Sequence, residues 1–386
     1  MAGNEAHSTR IAIDLSCAAE QPVTGIGYAA IYQLRALLAR SQPGQRYVLF
    51  ATGDRTGRQT LAREFGADRP IQFVSRARLI KYYAWTRLNW PPIEWFTGRV
   101  RIAHNLCHQT PAASRAIKMV TIHDMSPFRH PETHTPRAVE VQTTLLRHAA
   151  RKADCLVAVS QNCALELREL LSVPEDRVAV VPNGVHLAEF EGPLDTARLH
   201  RLRETHGIRD AYFIHLGTLE PRKNLARLLE AHHIVSSQRS DAPQLVLVGT
   251  VGWNADAILS AARSAGSNVV LPGYLSREEA VLLLRGAIAC VYPSLYEGFG
   301  LPVLEAMAAH VPVITSNTTS LPEVAGDAAL YIDPLDVESI SHSLAGILDH
   351  PDAAQRRVTI GRERAETLSW DASAAKLASL YASLAH

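Results

Sequence analysis

The sequence predicts an α/β protein of two domains, each built on a parallel β-sheet with helices on both faces. Short β-branched runs alternate with longer helical patterns along almost the whole chain. This alternation is typical of parallel strands that are buried on both faces. The pattern restarts after about residue 210. A chain of 386 residues is also longer than one ordinary domain, so two domains are expected.

About six strands are predicted in each half of the chain. In the first half they are residues 11–15, 47–51, 71–74, 119–122, 156–159 and 178–181, and in the second half 212–216, 245–248, 269–271, 290–293, 313–315 and 329–332. Helices are expected over residues 225–235 and from Pro302, because proline suits the first turn of a helix. No repeat of roughly 20–50 residues is evident, so a solenoid is not expected.

The domain boundary is predicted near residues 182–193. There a Pro-Asn-Gly turn follows a strand, and a polar stretch precedes the next helix. We therefore expect domains at 1–190 and 191–369, with a final helix at about 370–386 that packs back on the first domain. Ligands of open parallel sheets bind beyond the carboxyl ends of the strands. Two such sheets facing each other would form a ligand cleft.

Composition excludes several classes of protein. The formal net charge is +1, so no overall field indicates nucleic acid as a partner. The five cysteines are scattered and contain no Cys-x-x-Cys pair, which favours free thiols in a reducing compartment. Residues 1–10 are polar, and no run approaches the roughly 18 apolar residues that cross a bilayer. We expect a cytoplasmic protein that can still lie on the inner face of the plasma membrane.

The most informative segment is the loop and helix start over residues 296–307, Tyr-Glu-Gly-Phe-Gly-Leu-Pro-Val-Leu-Glu-Ala-Met. Gly298 and Gly300 permit a sharp turn and a close approach of the backbone to a ligand. Free amides at the start of a helix favour an anion such as a diphosphate. Glu297 and Glu305 can approach that anion from opposite sides, and carboxylates bind vicinal hydroxyls. The presence of two such carboxylates therefore indicates a ligand that contains both a ribose and a second sugar.

This Glu-x7-Glu pattern, in its Glu-Gly-Phe-Gly-Leu-Pro setting, closely resembles the family 4 glycosyltransferases. The resemblance implies a GT-B fold, two Rossmann-like domains facing each other across a cleft, and retention of anomeric configuration. It assigns donor-sugar hydroxyls to Glu297 and the ribose to Glu305. The diphosphate would lie against the backbone at residues 298–301, that is Gly298, Phe299, Gly300 and Leu301. The first domain would take the acceptor and the second the nucleotide sugar.

Two adjacent cations, Arg222 and Lys223, stand just before a predicted helix, in Gly-Thr-Leu-Glu-Pro-Arg-Lys-Asn at 217–224. Cations at a helix N-terminus oppose the helix dipole, so local stability does not explain them. An anionic ligand does, because both can neutralise a departing diphosphate. The resemblance assigns both residues to that diphosphate. The remaining interpretation is two solvated surface cations.

Further candidates follow strands in the first half. His123 and Asp124 end a predicted strand, and the family has a histidine at this point that contacts the donor sugar; Asp124 would orient it or touch the acceptor. Gly25 and Gly27 open the first long helix, where the family has a glycine loop facing the diphosphate and acceptor. Nine residues separate the strand end from Gly25, too many for a dinucleotide-binding turn.

In the second half, Tyr274 and Leu275 resemble the family's loop that receives the nucleotide base through backbone contacts. No His-x3-His or Asp-x-Asp pattern suggests a metal site, so we expect transfer without a metal or other cofactor.

An aromatic and basic stretch runs from residue 76 to residue 96 and leaves two interpretations open. It holds three of the chain's five tryptophans among arginines and lysine. This composition suits an anionic membrane surface. It equally suits a helix that packs its aromatic side chains inward and exposes its arginines.

The sequence thus predicts a retaining hexosyltransferase that uses a nucleotide diphosphate sugar. The segment Ile-His-Asp-Met-Ser-Pro resembles bacterial mannosyl- and rhamnosyltransferases of polysaccharide assembly, which favours GDP-mannose as donor and a lipid-linked or oligosaccharide acceptor. Two alternatives are a sugar-nucleotide epimerase of similar fold and a catalytically silent sugar-binding scaffold. A nicotinamide dehydrogenase ranks last.

Overall fold

The computed structural model describes residues 8–20, 23–40, 44–66, 69–75 and 83–385, and it divides into two compact units. Unit 1 comprises Met1–Phe128, Val139–Gly184 and Trp370–His386. Unit 2 comprises Arg129–Ala138 and Val185–Ser369. The division falls after Gly184 rather than after residue 190, and residues 129–138 belong to unit 2.

Unit 1 is built on a parallel sheet of seven strands within the described residues. These are β1 (Thr9–Asp14), β2 (Gln45–Gly53), β3 (Ile71–Ser75), β4 (Ile102–Asn105), β5 (Ile117–Ile122), β6 (Cys155–Ala158) and β7 (Val178–Val180). Their order across the sheet is β3-β2-β1-β4-β5-β6-β7. The register aligns Asp14 of β1 with Phe50 of β2 on one side and with Asn105 of β4 on the other.

Strand β4 is missing from the sequence prediction, which was wrong on this point. Its sequence is Ile-Ala-His-Asn, and its last two residues are polar although all four are buried. The side chain of His104 is satisfied by Tyr381 Oη at 2.6 Å and Thr121 Oγ1 at 2.9 Å. Asn105 donates to Asp14 at 2.8 Å. The polar side chains of this short strand can be buried only because they bond to residues distant in the chain. Its sequence therefore lacks the continuous apolar run that predicts a buried strand.

Unit 2 contains a second parallel sheet, of six strands within the described residues. These are β8 (Tyr212–Leu216), β9 (Gln244–Val248), β10 (Val269–Gly273), β11 (Ala289–Tyr292), β12 (Val313–Ser316) and β13 (Ala329–Ile332). Their order is β10-β9-β8-β11-β12-β13. All six lie close to the predicted runs. Strands β8, β9, β11 and β12 are buried throughout, which explains why they read as continuous apolar segments.

Helices fill the connections between these strands. They are α1 (Gly25–Ala39), α2 (Arg55–Phe65), α3 (Glu94–Thr97), α4 (Ser126–Arg129), α5 (Pro136–Lys152), α6 (Gln161–Leu171), α7 (Thr196–His206), α8 (Leu225–Gln238), α9 (Asp256–Ser264), α10 (Arg277–Arg285), α11 (Leu301–Ala308), α12 (Leu321–Ala325), α13 (Val337–Asp349), α14 (Pro351–Thr367) and α15 (Trp370–Ala385). The predicted helices at 225–235 and from Pro302 correspond to α8 and α11.

Helix α15 packs against α1 within unit 1, although more than 330 residues separate them in the chain. Ser373 donates to Gln33 at 2.9 Å, and the rings of Tyr32 and Trp370 stack with their centroids 6.1 Å apart. Tyr381 is completely buried in the core of this unit. The C-terminal helix is therefore an integral part of the first Rossmann-like unit. Among the described residues, no helix combines the length and apolar character needed to cross a membrane.

Candidate active site

The candidate site in unit 2 lies where the order of strands reverses. Strands β8 and β11 are neighbours at the centre of the sheet, and from them the chain proceeds outward in opposite directions, to β9 and to β12. Loops that leave such a pair diverge and open a crevice beyond the carboxyl ends of the strands, where ligands of these sheets bind. The two most informative segments of the sequence are the two loops that leave this pair: Arg222 and Lys223 follow β8, and Glu297 follows β11.

The structure brings the two predicted cations and the predicted glutamate into one buried cluster. Lys223 Nζ lies 2.6 Å from Glu297 Oε1 and 2.7 Å from the Tyr292 hydroxyl. Arg222 Nη1 lies 3.2 Å from Glu297 Oε2, and Arg222 Nη2 lies 2.6 Å from Glu220 Oε1. The cluster therefore contains two cations and two carboxylates. Neither Arg222 nor Lys223 is a solvated surface cation.

Burial and charge act against each other on the ionisation of this cluster. Burial alone would raise the pKa of Glu297, but the charges of Lys223 and Arg222 lower it to about 2. Burial and the nearby Arg222 lower the pKa of Lys223, and the carboxylate of Glu297 partly offsets this effect. Glu297 is consequently ionised at neutral pH. The two carboxylates of the cluster hold both cations in position.

The loop after Glu297 has a backbone conformation at Gly300 that requires glycine's freedom. Gly300 has φ +103°, a value that favours glycine, and it immediately precedes α11. A Cβ atom at Gly300 would lie 2.7 Å from Leu321 Cδ2. The backbone around Gly298, Phe299 and Leu301 thus turns directly into a helix with its first amides at the carboxyl end of β11. This arrangement is suited to an anion.

Two residues that the sequence did not predict as site residues form hydrogen bonds with the backbone of this loop. Ser320 donates to the carbonyl oxygens of Glu297 at 2.8 Å and Phe299 at 2.9 Å. Thr319 accepts from the backbone N–H of Glu297 at 3.2 Å. Both stand after β12, the strand next to β11. Their only sequence signal is a Thr-Thr-Ser run after a strand, which is common in ordinary loops.

Glu305 lies within the second turn of α11 and pairs with Arg277, which the sequence analysis did not single out. Arg277 Nη1 is 2.7 Å from Glu305 Oε1. Burial raises the pKa of Glu305, and Arg277 opposes this shift. Arg277 begins α10, two residues after the predicted base-binding residue Leu275. Leu275 is half-buried, and Tyr274 is exposed. The arginine that contacts the predicted ribose carboxylate thus follows the predicted base loop closely in the chain.

In unit 1, His123 is buried at the carboxyl end of β5. Its Nε2 bonds to the carbonyl oxygen of Leu106 at 2.8 Å, and its ring meets that of His108 edge-on at 5.8 Å. Burial, together with His108, lowers the pKa of His123 to about 4. The imidazole is therefore neutral at physiological pH, and Nε2 is the atom that carries the proton. Asp124 accepts from Ser126 N at 3.0 Å and Oγ at 2.7 Å, which shapes the start of α4.

The predicted glycine loop of unit 1 is the first turn of α1. Gly25 begins the helix, and Thr24 caps it by accepting from Gly27 N at 3.3 Å. A Cβ atom at Gly27 would lie 2.8 Å from Val23 Cγ1, so Gly27 permits close packing beneath the loop. A small cavity lies beside this helix and is lined by residues that include Ala29, Ala30, Gln33, Leu106, Thr121, His123, Asn183 and Leu377.

The aromatic stretch of residues 76–96 is described only from residue 83, so Arg76, Arg78, Lys81 and Tyr82 lie outside the described residues. Its remaining aromatic side chains divide between the core and the surface. Trp85 is buried, and its Nε1 donates to the carbonyl of Pro91 at 3.0 Å. Trp90 and Trp95 are 53% and 67% exposed and contact each other edge-on, with ring centroids 5.4 Å apart. Packing in the core therefore accounts for part of the stretch only.

All five cysteines are free thiols. Over the residues that the structure covers, no three His, Cys, Asp or Glu side chains are grouped closely enough to hold a metal ion.

Comparison with known proteins identifies the class. Residues 30–189 match the family "Glycosyltransferase Family 4", and residues 200–364 match "Glycosyl transferases group 1". Over 256 residues the chain is 33% identical to the O-antigen chain mannosyltransferase B of Escherichia coli, covering 66% of this chain and 67% of that protein. Over 224 residues it is 31% identical to the serotype-specific mannosyltransferase WbdA of Escherichia coli, covering 56% of this chain but only 27% of that protein.

The fold agrees with this assignment. The crystal structure of Anabaena Alr3699/HepE in complex with UDP and glucose superposes with a TM-score of 0.74 at 15% identity, covering 98% of this chain and 100% of that chain. Two parallel Rossmann-like sheets with this full-length match define the GT-B fold. The chain therefore belongs to glycosyltransferase family 4. It is a hexosyltransferase, as the sequence predicted.

Proposed function

We propose that this protein transfers mannose from GDP-mannose, with retention of configuration, to a hydroxyl of a lipid-linked oligosaccharide or a growing polysaccharide. The observation that carries the proposal is the buried cluster of Arg222, Lys223 and Glu297 at the strand-order reversal of unit 2, beside the first amides of α11. Two cations and a helix N-terminus suit a diphosphate, and an adjacent ionised carboxylate suits sugar hydroxyls. The curated names of the two Escherichia coli relatives favour mannose as the sugar.

The cluster explains how a leaving diphosphate would be stabilised. The bond between the anomeric carbon and the β-phosphate oxygen breaks, and its electron pair remains on the diphosphate. The acceptor oxygen then bonds to the anomeric carbon on the same face and passes its proton to that phosphate oxygen. Arg222 and Lys223 stabilise the negative charge that develops. Because Glu297 contacts both cations, they lie together and can act on the same diphosphate.

Glu297 has two roles in this proposal. It balances the charges of Lys223 and Arg222, at 2.6 and 3.2 Å. When the diphosphate arrives, its negative charges compete for the same cations, and the carboxylate becomes available to accept from sugar hydroxyls. Neutral His123, whose Nε2 proton bonds to Leu106, would accept at Nδ1 from a hydroxyl of the donor sugar. Asp124 would lie toward the acceptor.

We also propose that transfer needs no metal ion, because Arg222 and Lys223 supply the positive charge that a divalent cation provides in other transferases. Activity should persist in excess EDTA. Loss of activity in EDTA that magnesium or manganese restores would contradict this part of the proposal.

The outward side chains of the segment from residue 83 to residue 96 support a contact with an anionic membrane. Leu88 is 71% exposed beside exposed Arg87, Trp90 and Trp95, and indole rings favour the membrane–water interface. Trp90→Ser and Trp95→Ser should reduce sedimentation with phosphatidylglycerol vesicles. Leu335→Ser, at a similarly exposed leucine of unit 2, is the matched control. Equal sedimentation of these variants and the parent protein would exclude this surface.

The central experiment tests donor, acceptor and stereochemistry in sequence. Thermal unfolding with GDP-, UDP- and ADP-sugars should show the largest stabilisation with GDP-mannose. Incubation with lipid-linked acceptors should then give a mannosylated product, whose anomeric configuration, determined by NMR, matches that of the donor. An inverted product would exclude retention. Conversion of the donor without any acceptor would instead indicate a sugar-nucleotide epimerase, and binding without turnover a silent scaffold.

A further inference from the structure

Arg277 holds two carboxylates at once in unit 2. Its Nη1 is 2.7 Å from Glu305 Oε1, while Nε and Nη2 both lie 2.9 Å from Glu189 Oε2. The guanidinium also stacks over the ring of Phe190, 5.5 Å from its centroid. Three separate segments therefore meet at this side chain: the start of α10, the turn over Leu187–Glu189, and α11.

The position of Arg277 in its own helix does not explain this arrangement. Arg277 is the first residue of α10, where a positive charge opposes the helix dipole. The helix start is already capped, because Ser276 and Glu279 form a capping box. Local stability would favour an acidic residue at this site. The explanation must come from what the guanidinium contacts.

The ionisation of Glu305 depends on Arg277. The Glu305 side chain is 16% exposed, and burial raises its pKa. The negative charge of Glu189 acts in the same direction, whereas Arg277 favours the ionised form. A carboxylate accepts hydrogen bonds from two vicinal hydroxyls, whereas a protonated carboxyl group loses part of that capacity.

The two contacts with Glu189 fix the plane of the guanidinium. A fork of two N–H groups on one carboxylate, packed over the Phe190 ring, leaves the arginine little rotational freedom. In this orientation Nη1 lies 2.7 Å from Glu305 Oε1. Arg277 therefore opposes the effect of burial on Glu305 and holds its carboxylate in contact with the guanidinium.

We propose that Arg277 is a positioning residue that orients Glu305 for the vicinal hydroxyls of the nucleotide ribose. This inference rests on the proposed function, in which Glu305 binds that ribose. Arg277 acts through Glu305 and does not itself contact the ribose. Glu189 in turn holds Arg277 in place.

The test measures how much the ribose hydroxyls contribute to affinity. Calorimetric titration compares the binding of GDP with that of 2′,3′-dideoxy-GDP, which lacks them. The parent protein should prefer GDP by about 10- to 100-fold, the value of one charge-assisted hydrogen bond. Arg277→Gln should reduce this preference to below about threefold. Arg277→Lys keeps the charge but not the fork, so it should be intermediate, and Glu189→Gln should also lose part of the preference.

Arg198→Gln is the matched control. It removes an exposed pair, at 2.9 Å, between Arg198 and Glu278, the residue that follows Arg277 on α10. This variant should keep the preference of the parent protein. Thermal unfolding of each variant shows whether it is folded, and Arg277→Lys still tests the inference should Arg277→Gln not fold.

The possible failures are distinguishable. An Arg277→Gln protein that keeps the parent preference, while Glu305→Gln loses it, would overturn the role of Arg277 and leave the proposed function intact. An equal loss of affinity for both nucleotides in Arg277→Gln would assign Arg277 a purely structural role. A parent protein that binds neither nucleotide would overturn the proposed function together with this inference.

Discussion

Replacing Lys223 with alanine should produce two separable defects, one in catalysis and one in stability. Lys223 is buried, and its ammonium group contacts Glu297 at 2.6 Å and the Tyr292 hydroxyl at 2.7 Å. Loss of one charge partner of the transition state typically costs about 3 kcal/mol, which corresponds to a decrease in turnover of about a hundredfold or more. Because charge on the leaving diphosphate grows as the bond breaks, kcat should fall more than donor affinity.

The loss of stability is expected because the carboxylate of Glu297 stays buried after its partner Lys223 is removed. Removing one member of a buried ion pair typically costs about 3–5 kcal/mol, because the other charge stays buried. Arg222, at 3.2 Å from Glu297, remains and reduces this cost. We therefore expect a loss at or below the lower end of that range. The folded-state pKa of Glu297 should rise from its value of about 2.

Steady-state kinetics and urea unfolding of Lys223→Ala and of Lys223→Ala/Glu297→Gln would separate the two defects. The double variant also removes the negative charge that Lys223 no longer balances, so it should recover most of the lost stability while its turnover stays low. A Lys223→Ala enzyme with turnover near that of the parent would refute the role of this lysine at the diphosphate. A double variant as unstable as the single variant would show that the excess negative charge of Glu297 is not the cause of the lost stability.

Two further predictions concern Glu305 and His215. Glu305→Ala should weaken GDP binding by about 1.5–3 kcal/mol in calorimetric titration, because it removes a charged hydrogen bond; unchanged affinity would exclude Glu305 from the site. Burial lowers the pKa of His215 to about 4, against about 6.5 in the unfolded chain, so its contribution to stability is complete above about pH 6.5 and is lost as the pH falls toward 4. His215→Asn keeps an N–H donor for the Val291 carbonyl that His215 Nδ1 contacts. Between about pH 6 and 5, the free energy of unfolding in urea should depend on pH less steeply in this variant than in the parent protein, by about 1 kcal/mol per pH unit. Equal slopes in the two proteins would contradict the conclusion that His215 is neutral in the folded state.

The hydrophobic pattern was sufficient for most of the fold. Every strand except β4 was predicted, because each is a short apolar run between helical stretches. Strand β4 was not, because His104 and Asn105 are polar, and only their contacts with Tyr381, Thr121 and Asp14 allow their burial. A pattern of hydrophobic residues cannot detect a strand whose burial depends on partners distant in the chain.

The site shows the same limit. Glu297, Arg222, Lys223 and Gly300 were predicted from the sequence as site residues, because a glycine turn into a helix and adjacent cations before a helix both favour an anionic ligand. The sequence could not show that Glu297 lies between the two cations, 74 residues from Lys223 in the chain. Nor could it single out Arg277, which looks like any arginine on a helix surface until Glu189 and Glu305 are placed around it.

The sequence alone therefore determined the α/β class, the two loops and the chemistry that their residues can perform, because these properties depend on local periodicity and on residue type. Only the tertiary structure decided which charges neutralise one another, and so which groups are ionised and held in place. Electrostatic energies depend on distance and burial in space. Parallel strands bring the loops after β8 and β11 together because the two strands are neighbours in the sheet, not in the sequence.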